Sequence, residues 1–235
     1  SVLFYRFCET VDILFVLRRT SCRKMPKPQK NKSNVAKKAN KVKAKTATNA
    51  CETIAEAALK HPLNDKWTLW YLENDQKKSW EDQQSEVYSF DTVEDFWSMY
   101  NHILPPSEVS QGNDYSLFKN NVRPMWEDAA NKNGGRWVIN VIKQLRRTKL
   151  DELWLDTLLC IIGEEFNYCQ RVMGAVVNIR HGGDRISIWT DEAKNKNSVM
   201  AIGVKLKEYL GLNSDVRMSY EPHSLNKNVK PIYTL

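Results

Sequence analysis

Apolar residues recur at regular spacings only from about His61 onward; before that point neither a helical nor a strand period is sustained. Trp67-Thr68-Leu69-Trp70-Tyr71-Leu72 and Glu86-Val87-Tyr88-Ser89-Phe90 predict two strands rich in aromatic residues. Asp91-Thr92 predicts a helix N-cap, with Glu94 and Asp95 in the first turn and a run to about His102 before Pro105-Pro106 stops the chain. On that helix Val93, Phe96, Trp97 and Tyr100 share one face. Gly134-Gly135 predicts a turn into a third strand, Arg136 to Ile142, and Leu150 to about Asn167 predicts a helix that is apolar over more than half its circumference.

A hairpin follows, with Gly174 to Arg180 and Arg185 to Thr190 joined through His181-Gly182-Gly183-Asp184. Alternation sends Val177, Ile179, Ile186 and Ile188 to one face, and Asn178, Arg180, Arg185, Ser187 and Trp189 to the other. A last helix, Ser198 to Leu210, should end at Gly211, and Val216 to Tyr220 suits a closing strand. Strands in runs, with helices between hairpins, imply an α+β fold with an antiparallel sheet and helices on one side.

Charge separates the chain into parts. Residues 18–60 hold 13 Lys or Arg against Glu52 and Glu56, whereas residues 61–235 hold 21 basic and 24 acidic residues. The basic character is therefore local. We expect residues 1–24 to be an N-terminal extension, 25–60 a basic disordered tail with too little apolar surface to order itself, and 61–235 the folded domain. Arg6, Glu9 and Asp12 interrupt the apolar residues near the start, so neither a signal peptide nor a membrane span is expected there. Five cysteines with no Cys-x-x-Cys pair suit reduced thiols in an intracellular compartment, and no metal site is indicated.

All eight tryptophans lie between Trp67 and Trp189. Trp80 and Trp126 stand among charged neighbours, in Lys77-Lys78-Ser79-Trp80-Glu81-Asp82 and Arg123-Pro124-Met125-Trp126-Glu127-Asp128, where no periodic apolar stretch would enclose them. An indole face carries negative quadrupole density and attracts cations and flat rings. A carboxylate such as Glu127 can accept both donors of a guanine edge, and the hairpin supplies two arginines for phosphate. Together these parts describe a nucleotide site. Trp67, Trp70, Trp137 and Trp154 are expected to be structural.

The segments His61-Pro62-Leu63, Asp91-Thr92-Val93-Glu94-Asp95-Phe96-Trp97, Asp114-Tyr115-Ser116-Leu117-Phe118, Pro124-Met125-Trp126-Glu127-Asp128, Gly134-Gly135-Arg136-Trp137 and Trp154-Leu155-Asp156-Thr157-Leu158-Leu159-Cys160 closely resemble the eukaryotic translation initiation factor 4E family, over nearly all of residues 61–220. The resemblance implies a curved antiparallel sheet with about three long helices on its convex face and a site for the messenger-RNA 5′ cap on its concave face. It implies that Trp80 and Trp126 sandwich 7-methylguanine, with Glu81 at the same site. Glu127 would accept the guanine edge, and Trp189 would lie against the N7 methyl. Arg180 and Arg185 would bind the triphosphate, assisted by Arg136 and Asn178.

The same resemblance implies a second surface for a partner helix bearing Tyr-x-x-x-x-Leu, made by His61, Pro62, Val93, Trp97, Leu155, Asp156, Leu159 and Gly163. Its partners would be the scaffold initiation factor 4G and 4E-binding proteins, with the chain a monomer inside a heteromeric complex in the cytoplasm, and in the nucleus as a second compartment. Two departures stand out. Asp156 is one methylene shorter than the family's usual Glu, and Ser224 to Lys230 is shorter than the usual loop over the cap, without a serine at the place where a regulatory one is often found.

The expected function is thus cap binding that recruits the scaffold to begin translation; the alternative is a cap-binding repressor that does not recruit it. Glu127, Asp128, Glu164 and Glu165 could hold a metal on paper, but no GxxxxGK[ST], His-x-x-x-His or hydrolase motif accompanies them. Neither catalysis nor a cofactor is expected.

Overall fold

The computed structural model describes residues 60–223 and 230–235, apart from Gln76, Trp80 and Glu81. The expected N-terminal extension and basic tail, apart from Lys60, both residues Trp80 and Glu81, and the segment 224–229 lie outside the described residues. Among the described residues, Lys60–Pro62 with Thr92–Glu94 fall in one unit, and Leu63–Asp91 with Asp95–Leu235 in a second.

Eight strands form one sheet: β1 Pro62–Leu72, β2 Gln84–Thr92, β3 Asp114–Lys119, β4 Gly135–Val141, β5 Val172–Asn178, β6 Asp184–Thr190, β7 Met218–Pro222 and β8 Tyr233–Thr234, in the order β2-β1-β3-β5-β6-β4-β7-β8. Three α-helices accompany it, α1 Val93–Tyr100, α2 Asp151–Ile162 and α3 Lys196–Tyr209. The curved antiparallel α+β architecture agrees with the expectation.

Cross-strand register assigns each residue a face. Trp137 lies opposite Ile188 and Tyr220, Ala175 opposite Ile188 and Leu117, and Leu69 opposite Leu117, so these apolar side chains share one side. All of them are fully buried there. Helices α2 and α3 cover that side: the Trp137 indole donates to the Val199 carbonyl of α3 at 2.8 Å, and α2 packs on β5. Gly203 lets α3 come close, because a Cβ there would overlap the Trp137 ring. Arg136, Asn140, Asn178, Arg185, Ser187 and Trp189 fall on the opposite side, as alternation predicts for the hairpin.

Five elements differ from the sequence expectation. β1 begins at Pro62 rather than Trp67, and Asp91-Thr92 end β2 rather than standing outside it; the first helical amide, that of Val93, donates to the His61 carbonyl at 2.9 Å. β3 is a central strand, buried on both faces from Asp114 to Phe118, so it lacks the alternation of a half-exposed one. β8 is only two residues long, too short to show any period. Helix α2 stops at Ile162, not near Asn167, because Glu164 adopts φ 53° and the Glu164 and Glu165 amides return to the Ile161 and Cys160 carbonyls. By contrast α3 stops at Gly211, φ 59°, as expected.

Candidate functional site

The polar side of β4, β5 and β6 carries the cations. Across these strands Arg136 lies opposite Trp189, and Arg185 lies opposite both Asn140 and Asn178. Three residues of β6 separate Trp189 from Arg185, so the two lie roughly 13 Å apart along the extended chain. The cationic end of this side holds a cavity of about 610 Å³, lined by Arg136, Asn140, Asn178, Arg180 and Arg185 among others.

Each arginine is held differently. Arg180 donates through both terminal nitrogens to the two oxygens of Asp114, at 2.5 and 3.0 Å. Its backbone is held as well: its amide donates to Asp184 at 3.1 Å, and its carbonyl accepts from Arg146 at 2.6 Å. Arg146 then closes the network on the Asp184 carboxylate with two contacts of 2.6 Å. Gly183, at φ 146°, makes the intervening turn possible. Arg136 donates to Glu221 through Nε and Nη2, at 3.2 and 3.0 Å. Arg185 is exposed and has no ion-pair partner among the described residues. This side of the sheet therefore presents a graded row: one open cation, one oriented by a bidentate carboxylate, and one neutralised.

The apolar end of the row is Trp189, only 8% exposed, in a cluster with Phe118, Met173 and Val176. Its ring meets Phe118 edge-on at 5.4 Å and lies 4.2 Å from His223. Burial, with the Arg136 charge adding to it, lowers the His223 pKa to about 4, so this imidazole is neutral at physiological pH. Trp126 rests half-buried on the same cluster. Its loop is braced from within: the buried Asn131 side chain donates to the Arg123 and Met125 carbonyls, both at 2.9 Å, and Asp128 accepts from the Arg123 and Ala130 amides. Glu127, next in the loop, is exposed.

The expected partner surface divides between the two units. In the first, His61 contacts Glu94 through Nδ1 at 2.6 Å and through its amide at 2.9 Å, with Pro62 exposed and Val93 buried. Burial raises the Glu94 carboxyl, but the His61 hydrogen bonds outweigh it and leave the pKa below its ordinary value. In the second unit Trp97 is 8% exposed, packed edge-on to Phe96 and Tyr100. Leu155 and Asp156 are half-buried, whereas Leu159 and Gly163 are buried. The Tyr100 hydroxyl is raised by burial and by the nearby Asp151 and Asp156 carboxylates.

Of the tryptophans expected to be structural, Trp67, Trp137 and Trp154 are fully enclosed. Trp70 differs: it lies opposite Ser116, on the side of the sheet that carries the arginines, and is half-buried. Residues missed from the sequence include Asn140, Asp114, Arg146, Asp184, Glu221 and His223. Only Asn140 had a signal, since it lies four residues beyond Arg136 on one strand and so shares its face.

A sheet with an arginine row ending in an indole cluster, and helices on its other face, defines an α+β binding module suited to an anion that carries a flat ring. The family model described as Eukaryotic initiation factor 4E matches residues 62–232. Eukaryotic translation initiation factor 4E1 of Drosophila melanogaster is 51% identical over 215 residues, 89% of this chain and 83% of that protein. The solved structure of Ascaris suum eIF4E-3 with the m7G cap is similar with a TM-score of 0.73 and 45% identity, over 75% of this chain and 98% of that one. That of C. elegans eIF4E-3 with the 4E-binding protein Mextli and a cap analog is similar with a TM-score of 0.70 and 45% identity, over 75% and 99%. This chain belongs to the eukaryotic initiation factor 4E family.

Proposed function

We propose that this protein binds the 7-methylguanosine 5′ cap of messenger RNA and brings the capped end to the initiation scaffold, acting as a binding module without chemistry of its own. The observation that carries the reading is the row from Trp189 through Arg136 to Arg185 and Arg180, roughly the length of a nucleoside triphosphate, on one side of the sheet. In this reading the methylated base stacks on Trp126 and on Trp80, whose backbone lies outside the described residues, with Glu81 at the same site. Glu127 accepts the guanine N1–H and 2-amino group, Trp189 lies against the N7 methyl, and Arg180, Arg185, Arg136 and Asn178 receive the phosphates.

Methylation at N7 makes the base cationic, which strengthens both stacks and the carboxylate contact. Stacking contributes about 1–3 kcal/mol per ring, and a desolvated cation–π contact about 2 kcal/mol or more. Discrimination between methylated and unmethylated guanine therefore rests on the rings and on the Glu127 carboxylate, while the arginines act on both alike. Titration of the intrinsic fluorescence with 7-methyl-GTP and with GTP tests this. Strong quenching by the methylated nucleotide alone is expected, and Trp126→Leu should abolish it; an equal response to both nucleotides would overturn the reading.

Similar structures solved with 4E-binding proteins support a partner of that kind for this chain, and in this reading Trp97, Leu155, Asp156, Leu159 and Gly163 of the larger unit receive its helix. Co-precipitation with the scaffold factor is the test of recruitment. Firm cap binding without the scaffold would favour a repressor.

A further inference from the structure

We propose that Glu221 is a specificity-determining residue: by holding Arg136 in an ion pair on the binding face, it limits how much of the ligand's affinity comes from the phosphate chain. The inference rests on the cap-binding reading of that face. Glu221 on β7 lies directly opposite Arg136 on β4, and Arg136 lies opposite Trp189 on β6. The carboxylate is therefore at the base end of the arginine row, where the phosphate chain begins.

The three carboxylates near this row are not equivalent. Asp184 is fully enclosed and is consumed by Arg146 and the Arg180 amide. Asp114, 10% exposed, takes both terminal nitrogens of Arg180 on its two oxygens, an arrangement that orients the guanidinium. Glu221 is 24% exposed and Arg136 30% exposed, and both Arg136 contacts fall on a single oxygen, Oε2. Its other oxygen makes no hydrogen bond among the described residues. This pair is half-solvated and incompletely engaged, so it can be rearranged by an incoming anion.

A phosphate arriving beside Arg136 meets a guanidinium and a carboxylate whose charges cancel. Attraction to the cation is offset by repulsion from the carboxylate, at distances where water screens only part of either. Glu221→Gln keeps the shape and an acceptor for Arg136 but removes the negative charge. Arg136 then acts on the phosphates as a full cation.

The experiment compares wild type, E221Q, E221A, R136Q and the E221Q/R136Q double variant, with thermal melting to show that each is folded. Dissociation constants are measured by fluorescence for 7-methyl-GTP and for 7-methylguanosine, which has no phosphate. In E221Q the ratio of triphosphate to nucleoside affinity should rise about threefold to tenfold, and the rise should vanish in the R136Q background. E221A gives the same readout if E221Q melts early. A ratio unmoved in a folded variant overturns the proposal, as does a rise that persists without Arg136, which would mean repulsion at a distance. Failure of the wild type to bind either methylated ligand is a separate result, and it overturns the cap-binding reading itself.

Discussion

Arg146 reaches the carboxylate of Asp184 with two contacts of 2.6 Å, and the Asp184 side chain is fully enclosed while that of Arg146 is only 12% exposed. This pair fastens the turn that carries Arg180, because Asp184 also accepts the Arg180 amide and Arg146 donates to the Arg180 carbonyl. Removing one partner strands a buried charge. We expect Arg146→Ala to lower the unfolding free energy by about 3–5 kcal/mol in urea titrations. It should also weaken phosphate binding, since the backbone that aims Arg180 loses its anchor. A loss below about 1 kcal/mol would show that the turn holds itself.

Arg185 differs from its neighbours in having no ion-pair partner among the described residues. Its whole charge is available to a ligand. Arg185→Gln should weaken 7-methyl-GTP binding by about tenfold, a loss of roughly 1.4 kcal/mol, and make the affinity less sensitive to added salt. Binding isotherms at two ionic strengths measure both effects, and an unaltered salt dependence would argue against phosphate contact.

His223 makes stability depend on pH. Its pKa falls from 6.5 to about 4 through burial and the Arg136 charge. Above pH 6.5 the imidazole is neutral in both states and makes no difference. Between pH 6.5 and 4 the unfolded chain takes up a proton that the folded one refuses, so stability falls across that window by about 2–3 kcal/mol. His223→Gln should remove this part of the acid sensitivity. Equal slopes of unfolding free energy against pH in the two proteins would count against it.

Gly203 is where α3 meets the Trp137 ring. In the middle of an exposed helix, alanine would be favoured over glycine. Here its methyl group needs space that the indole occupies, and the indole is fixed by its bond to the Val199 carbonyl. Gly203→Ala should therefore cost about 1–3 kcal/mol, seen as a lower midpoint in urea. An increase in stability would mean that the helix shifts freely.

The sequence by itself determined the parity of the hairpin. Once Val177, Ile179, Ile186 and Ile188 had to face a core, Asn178, Arg185 and Trp189 had to share the other side, because side chains alternate along a strand. It also determined the end of α3, since Gly211 takes a positive φ that other residues avoid. It could not reveal β3, whose two buried faces erase the alternation, nor the early end of α2 at a glutamate in a left-handed conformation. The ionic partners lay further still from view: Glu221 is 85 residues from Arg136, Asp114 is 66 from Arg180, and Asp184 is 38 from Arg146. Local pattern decides which way a residue points; which charge it meets there depends on the order of the strands, and that is decided only when the sheet closes on its core.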